Sequence, residues 1–304
     1  MPLPFNFPDL ASLDLFRSVV ELGSVSRAAE AHGIAQPSAS SRIRTLEGRL
    51  GLRLLDRSPT GSRPTPDGQL ISGWAAELLR YADTLAAGVA SLKAEQSGLL
   101  RIAASYTIAE YLLPPWLERF LADRPDDSVT LEVTNSRAVL DRLEAGSVDL
   151  GFVESPTVPA SLNQQAVAAD ELVPVVAPRH PWASRASVDL TELATTPLVL
   201  RERGSGTREA LEALLASVGH DAPQSALDLG SISAVRIAVI NGSSPTVISR
   251  LAVADDIANG RLVELTVPGL QINRTLRAVW PRRNELPRLA AALLATLPGG
   301  AWSD

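Results

Sequence analysis

The sequence predicts an α/β protein in three parts: a small helical body with a β hairpin, one long helix, and a larger two-lobed body. Three observations predict it. Residues 1–66 carry short amphipathic helical patterns separated by glycine turns. Residues 67–97 contain no proline and repeat apolar residues every seven positions. From residue 98 onward, strand-like apolar runs alternate with helical patterns, the order of a βαβ chain with a parallel sheet. The 304 residues are enough for two or three folded units. With 45% apolar and 20% charged residues, the composition is globular, neither disordered nor fibrous.

In the first part, Leu10, Leu13, Phe16, Val19 and Val20 recur mostly at three- and four-residue steps. Residues 9–22 therefore read as an amphipathic helix with Asp9 as its N-cap. Gly23 stops it, and Ser24 can cap a second short helix whose Ala28-Ala29 pair allows close packing. His32-Gly33 ends that helix in a tight turn. Gln36-Pro37 opens a third, with Pro37 in the first turn, where its missing N–H costs nothing. Ile43, Leu46 and Leu50 form the buried stripe of this helix, leaving Ser38, Ser41, Arg42, Thr45 and Arg49 on its other faces. Two short helices joined by a glycine turn make a helix-turn-helix pattern. Residues 51–57 then read as a short strand and residues 58–64 as a turn-rich tip, which together form a β wing.

In the long helix, Ile71, Leu78, Leu85 and Leu92 stand seven residues apart, with Trp74, Tyr81 and Gly88 between them. Thirty residues of helix span about 45 Å, too long for the small body before them to cover. The seam of Ile71, Trp74, Leu78, Tyr81, Leu85 and Leu92 therefore predicts a dimerisation helix.

Strands are expected at 99–105, 129–134 and 149–154, alternating with helices near 108–122 and 136–145. A second set begins with strands at 172–177 and 198–201. It continues with a helix at 207–218, a strand at 225–229 and a helix at 232–240. Further strands at 246–249, 262–267 and 275–280 precede a closing helix at 285–297. The chain is expected to cross between lobes near 170 and 272, giving lobe I as 98–170 with 273–304 and lobe II as 171–272.

Ligands of open α/β sheets sit beyond the carboxyl ends of strands, where helix N-termini present free N–H groups. Ser105-Tyr106-Thr107, Asn135-Ser136 and Glu154-Ser155 are such places, as is the run from Arg201 to Arg208. Within that run Gly204 and Gly206 permit close backbone approach, and Ser205 and Thr207 add hydroxyls, so an anion is the natural guest. Glu154 would repel an anion, and Arg201 or Arg208 is expected to offset it.

A formal charge of −6 argues at face value against nucleic acid as a partner. Its distribution reverses that inference. Residues 1–66 hold eight arginines against six acids, a balance of +2, and the rest of the chain carries −8. Between 35 and 65, six arginines face only Glu47 and Asp56. Arginine presents a planar fork suited to phosphate and to guanine edges. The absence of cysteine excludes a disulfide scaffold, a thiolate metal site and a cysteine nucleophile, and no metal site is expected. An enzyme is disfavoured, because only His32, His180 and His220 exist and no phosphate loop or dinucleotide fingerprint appears. No apolar run approaches the length of a membrane span. The start, Met1-Pro2-Leu3-Pro4-Phe5, lacks the basic region of a secretory signal, so a cytoplasmic location is expected.

These residues carry a resemblance. Leu15-Phe16, Gly23-Ser24, Ala28-Ala29, Gln36-Pro37-Ser38-Ala39-Ser40, Ile43-Arg44, Leu46-Glu47, Leu50-Gly51, Arg57 and Thr65-Pro66-Asp67-Gly68 resemble the LysR-type transcriptional regulators in order and spacing. The resemblance implies a recognition helix over 36–50 in the major groove of double-stranded promoter DNA, with the wing on the adjacent minor groove or backbone. Gln36, Pro37 and Ser40 match positions that approach bases or phosphates, and Arg44 and Arg57 match positions that usually hold a basic residue. With Ser24, Ser38, Ser41, Arg42 and Arg63 they form the expected DNA-binding set. Local alternatives exist: Gln36 can simply cap its helix, and Arg44 can pair with Glu47. Ser41 stands where the family often has a basic residue, and His32 replaces the usual leucine of the turn; His32 reads best as a partly buried structural residue.

The same resemblance implies a homodimer or homotetramer joined through the linker helix, and a periplasmic-binding-protein-like effector domain after it. Gly151-Phe152-Val153-Glu154, together with Arg201-Glu202 and Gly204–Arg208, looks like the branch that includes regulators of sulfur assimilation and carbon fixation. That branch implies a small oxyanion or phosphorylated metabolite as effector, held by Ser105, Tyr106, Thr107, Asn135, Ser136, Glu154, Gly204, Ser205, Gly206 and Thr207. No cofactor is expected, and RNA polymerase is a further candidate partner. The alternative is a small-molecule-binding protein without regulatory DNA activity.

Overall fold

The structure, a computed structural model, describes residues 7–58, 61–282 and 285–297. The chain forms two compact units that divide between residues 87 and 88.

In the first unit, α1 (Leu10–Leu22) starts at Asp9, whose carboxylate accepts the Ser12 amide, and ends at Gly23 in the left-handed region, φ 66°. Ser24 caps α2 (Val25–Ala31), and α3 (Gln36–Leu50) carries proline in its first turn and ends at Gly51, also left-handed. Strands β1 (Leu55–Ser58) and β2 (Gly61–Pro64) pair antiparallel as the wing. The core of this unit is Leu15, Phe16, Val19, Ala28, Ala29, Ile43, Leu46 and Leu54, the apolar stripes of the three helices closed by the strand entry. Helix α4 (Pro66–Gln96) follows without a break and carries the chain across the division.

The second unit begins with β3 (Leu99–Ser105), α5 (Tyr106–Tyr111) and α6 (Leu113–Ala122). The single helix expected over 108–122 is thus two, because Pro114 and Pro115 are tolerated only in the first turn of a new helix. β4 (Ser128–Thr134), α7 (Ser136–Glu144) and β5 (Leu150–Val153) complete a parallel order β5-β3-β4. β6 (Leu162–Val176) is 15 residues long and starts ten residues before the expected strand. After a 3-10 turn at Pro181–Ser184 come α8 (Leu190–Thr195), β7 (Leu198–Arg201), α9 (Gly206–Ser217), β8 (Ser225–Leu229) and α10 (Ile232–Asn241). β9 (Thr246–Ser249), α11 (Arg250–Ala258), β10 (Val263–Glu264), β11 (Ile272–Pro281) and α12 (Arg288–Thr296) close the chain.

The parallel sheet expected of the strands at 99–105, 129–134 and 149–154 is present, as part of a larger mixed sheet. β11 runs antiparallel to β5 and, over its own whole length, to residues 162–172 of β6, and β6 also pairs antiparallel with β9 and β10. The strand expected at 262–267 shrinks to β10, because pairing with β6 covers only Val263 and Glu264. β6 and β11 pass through two separate cores. Val167, Leu276 and Ala278 pack with Leu100, Ile102, Phe120 and Phe152, whereas Leu172, Val176 and Ile272 pack with Trp182, Leu198 and Leu211. Between these cores, on the paired positions 170 and 274, stand an aspartate and an arginine.

Candidate functional site

The exposed face of α3 is the first candidate surface. Gln36, Pro37, Ser38, Ser41, Arg42 and Arg44 are all exposed on it, and Arg63 is exposed on the wing. Ser40 differs: it is 8% exposed, and its hydroxyl accepts from Gln36 Nε2 at 3.4 Å, so it orients Gln36 and does not face outward. Gln36 is not the cap, since Ala35 occupies that position without a side-chain bond. Arg44 does not pair with Glu47. Its Nε donates to the Ser40 carbonyl, while Glu47 Oε1 accepts the amides of Leu54 and Leu55 at 2.9 and 3.2 Å. Ser24 is tied to the amide of Arg27. His32 is partly buried against Ser18, with Nε2 and Oγ 2.8 Å apart. The side chain of Arg57 lies outside the described residues.

Helix α4 splits its expected seam. Ile71 and Leu78 pack on the core of the first unit, and with Phe7, Leu13, Leu50 and Trp74 they line an apolar cavity of about 240 Å³. Trp74 (63% exposed), at the rim of that cavity, is exposed to solvent along with Tyr81, Leu85 (71%), Leu70 and Val89 of the same helix. The side chain of Leu92 lies outside the described residues.

In the second unit the chemistry gathers where β6 and β11 cross between cores. Arg274 donates through Nε and Nη2 to Asp170 Oδ2 at 2.9 and 2.7 Å, and through Nη2 to Thr107 Oγ1 at 3.2 Å. Its Nη1 donates to Thr207 Oγ1 at 3.0 Å and stands 3.4 Å from Glu154 Oε1. Glu154 also accepts from Ser105 Oγ at 3.2 Å and Thr207 Oγ1 at 3.3 Å. All six side chains are buried. The guanidinium thus joins β3–α5, β5, β6 and the start of α9 in one knot.

Around this knot lie buried polar atoms without a protein partner. Arg201 Nη1, Ser205 Oγ, Ser249 Oγ and Asp170 Oδ1 are four of six such side-chain atoms among the described residues. Unpaired buried polar groups are rare and call for an explanation. Ser205 and Ser249 precede α9 and α11 without capping them, so both hydroxyls are uncommitted at positive helix ends. Ser249 pairs with Leu172, which pairs with Ile272, two positions from Asp170 and Arg274 and hence on the same face of the sheet. Arg201 lies over the Tyr106 ring, 4.7 Å from its centroid, and binds Glu202 bidentately.

Several expected ligand groups are otherwise engaged. Asn135 Oδ1 caps α7 through the Ala138 amide, and Ser136 Oγ accepts the Glu154 amide. A Cβ on Gly204 would stand 3.0 Å from Arg137 Cβ, and one on Gly206 would stand 2.7 Å from the Glu154 backbone. The close approach that these glycines permit is therefore between the two lobes themselves. The offset to Glu154 comes from Arg274, not from Arg201, which holds Glu202, or Arg208, which holds Glu212 and Asp228. Burial alone would lower the Arg208 pKa, but hydrogen bonding to Glu212 and the charge of Asp228 hold it above its ordinary value. Tyr111, wedged by α5 against the Val199–Ile232 core, has its phenol pushed up by burial and by Glu110. His180 accepts the Trp182 amide through Nδ1, a turn residue. Asp170, Arg274 and Ser249 stand outside the expected set, although an acid and a base at the two expected crossings are a signal.

A helix-turn-helix unit with a wing, joined by one helix to a two-lobed α/β body, defines the class of one-chain DNA-binding sensors. The match to known families is specific. Residues 10–69 match the bacterial regulatory helix-turn-helix protein, lysR family, and residues 93–301 match the LysR substrate binding domain. The chain belongs to the LysR family and is a LysR-type transcriptional regulator with an effector-binding domain. The HTH-type transcriptional regulator Rv2282c of Mycobacterium tuberculosis is 42% identical, the match covering 92% of this chain and 93% of the relative. The RuBisCO operon transcriptional regulator of Allochromatium vinosum is 29% identical over 93% of each chain. Among solved structures, the CcmR regulatory domain of Synechocystis PCC6803 in complex with 2-PG is 28% identical. It superposes with a TM-score of 0.60, covering 66% of this chain and 98% of that one. The family consists of transcriptional regulators, not enzymes, and no described helix is long and apolar enough to cross a membrane.

Proposed function

We propose that this chain binds promoter DNA as a homodimer or homotetramer, and that a small anion between its lobes shifts the arrangement of its recognition helices. The observation that carries the effector reading is the buried knot at the lobe crossing, with Arg201 Nη1, Ser205 Oγ and Ser249 Oγ unpartnered beside it. Exposed Arg137 and Arg203 flank Gly204 and enter no ion pair among the described residues, so positive charge rims the same place. One solved relative supports an anion: the CcmR regulatory domain carries 2-PG. The ligand acts only through different affinity for two states of the protein. The exposed side of α4, with Trp74, Tyr81 and Leu85, supplies the dimer seam, and the cavity beside Trp74 offers it a socket. On this reading the chain works in the cytoplasm, where promoter DNA is, and RNA polymerase is a candidate partner.

Calorimetric titration with sulfate, sulfite, thiosulfate, phosphate and 2-PG tests the site. Ser205→Ala is expected to weaken binding of the active anion about tenfold. It should leave stability near wild type, because this hydroxyl has no protein partner to lose. Thr207→Ala should weaken it at least as much, and both variants should still retard DNA. Unchanged affinity in both removes the pocket assignment. A gel shift with the upstream DNA tests the other half: a regulator shows sequence-dependent retardation that falls steeply with salt. No retardation at any salt favours a binding protein without regulatory DNA activity.

A further inference from the structure

We infer that the Glu154 carboxylate is a tethered stand-in for the anionic effector, occupying donors that the effector takes when it binds. The inference rests on the cleft reading above and adds a competitor built into the chain. Glu154 receives what a bound oxyanion would receive: two hydroxyl donors, Ser105 Oγ and Thr207 Oγ1, and the Nη1 side of Arg274.

The fit is slack. All three contacts measure 3.2–3.4 Å, whereas Arg274 holds Asp170 at 2.7 and 2.9 Å, the ordinary range of a charge-assisted bond. The two acids on one guanidinium are therefore unequal: Asp170 is the fixed partner and Glu154 the exchangeable one. The knot also carries one negative charge more than Arg274 neutralises. Arg201 and Arg208 do not supply the balance, since each is engaged with its own acids. An oxyanion added beside an unmoved Glu154 would raise that excess, whereas one that replaces it keeps the donors satisfied. The main chain of Glu154 is pinned by Ser136 Oγ and by the close approach of Gly206, so the exchange is a side-chain movement.

The stand-in gives binding a contact to change: Glu154 bridges lobe I to Thr207 at the start of α9. Exchange replaces a contact fixed to β5 by one that belongs to neither lobe. The regulator then has two states that differ in what crosses the cleft.

The test uses the full chain, titrated calorimetrically with sodium sulfate, inorganic phosphate and 2-PG, as wild type, Glu154→Gln and Glu154→Ala. Removing the competing charge is expected to tighten binding of at least one probe tenfold or more in both variants. Glutamine keeps the shape of the residue, so E154Q decides if E154A does not fold. Wild-type binding that is unchanged or weakened in E154Q overturns the stand-in and leaves the cleft reading in place. No binding of any probe by wild type or either variant removes the cleft reading and this inference together. Binding by the variants alone supports both.

Discussion

Gly68→Ala is expected to abolish sequence-specific DNA retardation and to destabilise the first unit by about 1–3 kcal/mol, the range of overpacking a filled site. A Cβ on Gly68 would stand 2.0 Å from the Leu54 carbonyl oxygen and 3.2 Å from Thr65 Oγ1. Neither obstacle is the loose end of a side chain. The Leu54 carbonyl accepts the Thr65 amide at 2.9 Å, and Thr65 Oγ1 donates to the Arg53 carbonyl while accepting the Gly68 amide. The Leu54 amide is held by Glu47 of α3. A continuous run of bonds thus leads from the recognition helix through Leu54 and Thr65 to the first turn of α4, and Gly68 is where its two ends touch. Denaturation of the full chain followed by a gel shift reads both effects. Gly73→Ala is the control, on the same helix with open space around it. It should stabilise by about 0.5–1 kcal/mol, because alanine loses less backbone entropy than glycine in a helix. Two glycine-to-alanine changes five residues apart should therefore have opposite signs; the same sign in both would refute the argument.

The part of the fold that was legible in the sequence is the part whose signals are local. Asp9, Gly23, Ser24, Pro37 and Gly51 each act on a neighbouring turn, so the caps and stops of the first three helices follow from residue type. The second unit is less legible where distant pairing decides. Residues 162–171 of β6 include Asn163, Gln164, Gln165, Ala166 and Asp170, with little strand propensity, and are extended because β11 pairs along them. The antiparallel core of the sheet rests on that same stretch, so no local pattern reveals it. The effector cleft was half legible for the same reason. Hydroxyls after strands could be named from position, but Asp170 and Arg274 lie 104 residues apart and acquire meaning only through the β6–β11 register. The glycines of the 204–206 loop were recognised as sites of close approach, while what approaches them, the opposite lobe, is a tertiary fact.

Arg274→Ala should carry the largest penalty, about 3–5 kcal/mol, the loss seen when one partner of a buried pair is removed. The truncation leaves Asp170 without either of its charge-assisted bonds and Glu154 without its cation, and it removes the donor to Thr107 and Thr207. Hydrogen exchange of β6 and β11 amides in the full chain should report it, because the pair sits between the two cores those strands cross. Arg274→Lys should recover only part of the loss: an ammonium keeps the charge but cannot span Asp170, Thr107 and Thr207 at once as the guanidinium fork does. A double variant, Asp170→Asn with Arg274→Gln, separates structure from sensing. It removes both charges of the tight pair and keeps groups that can hydrogen-bond each other, so much of the stability should return. Anion binding should not return, since the cation that faces Glu154 and Thr207 is still missing. A double variant that regains both would make Arg274 a pin between lobes and nothing more. One that regains stability alone makes the same guanidinium both the pin and the charge to which the effector responds.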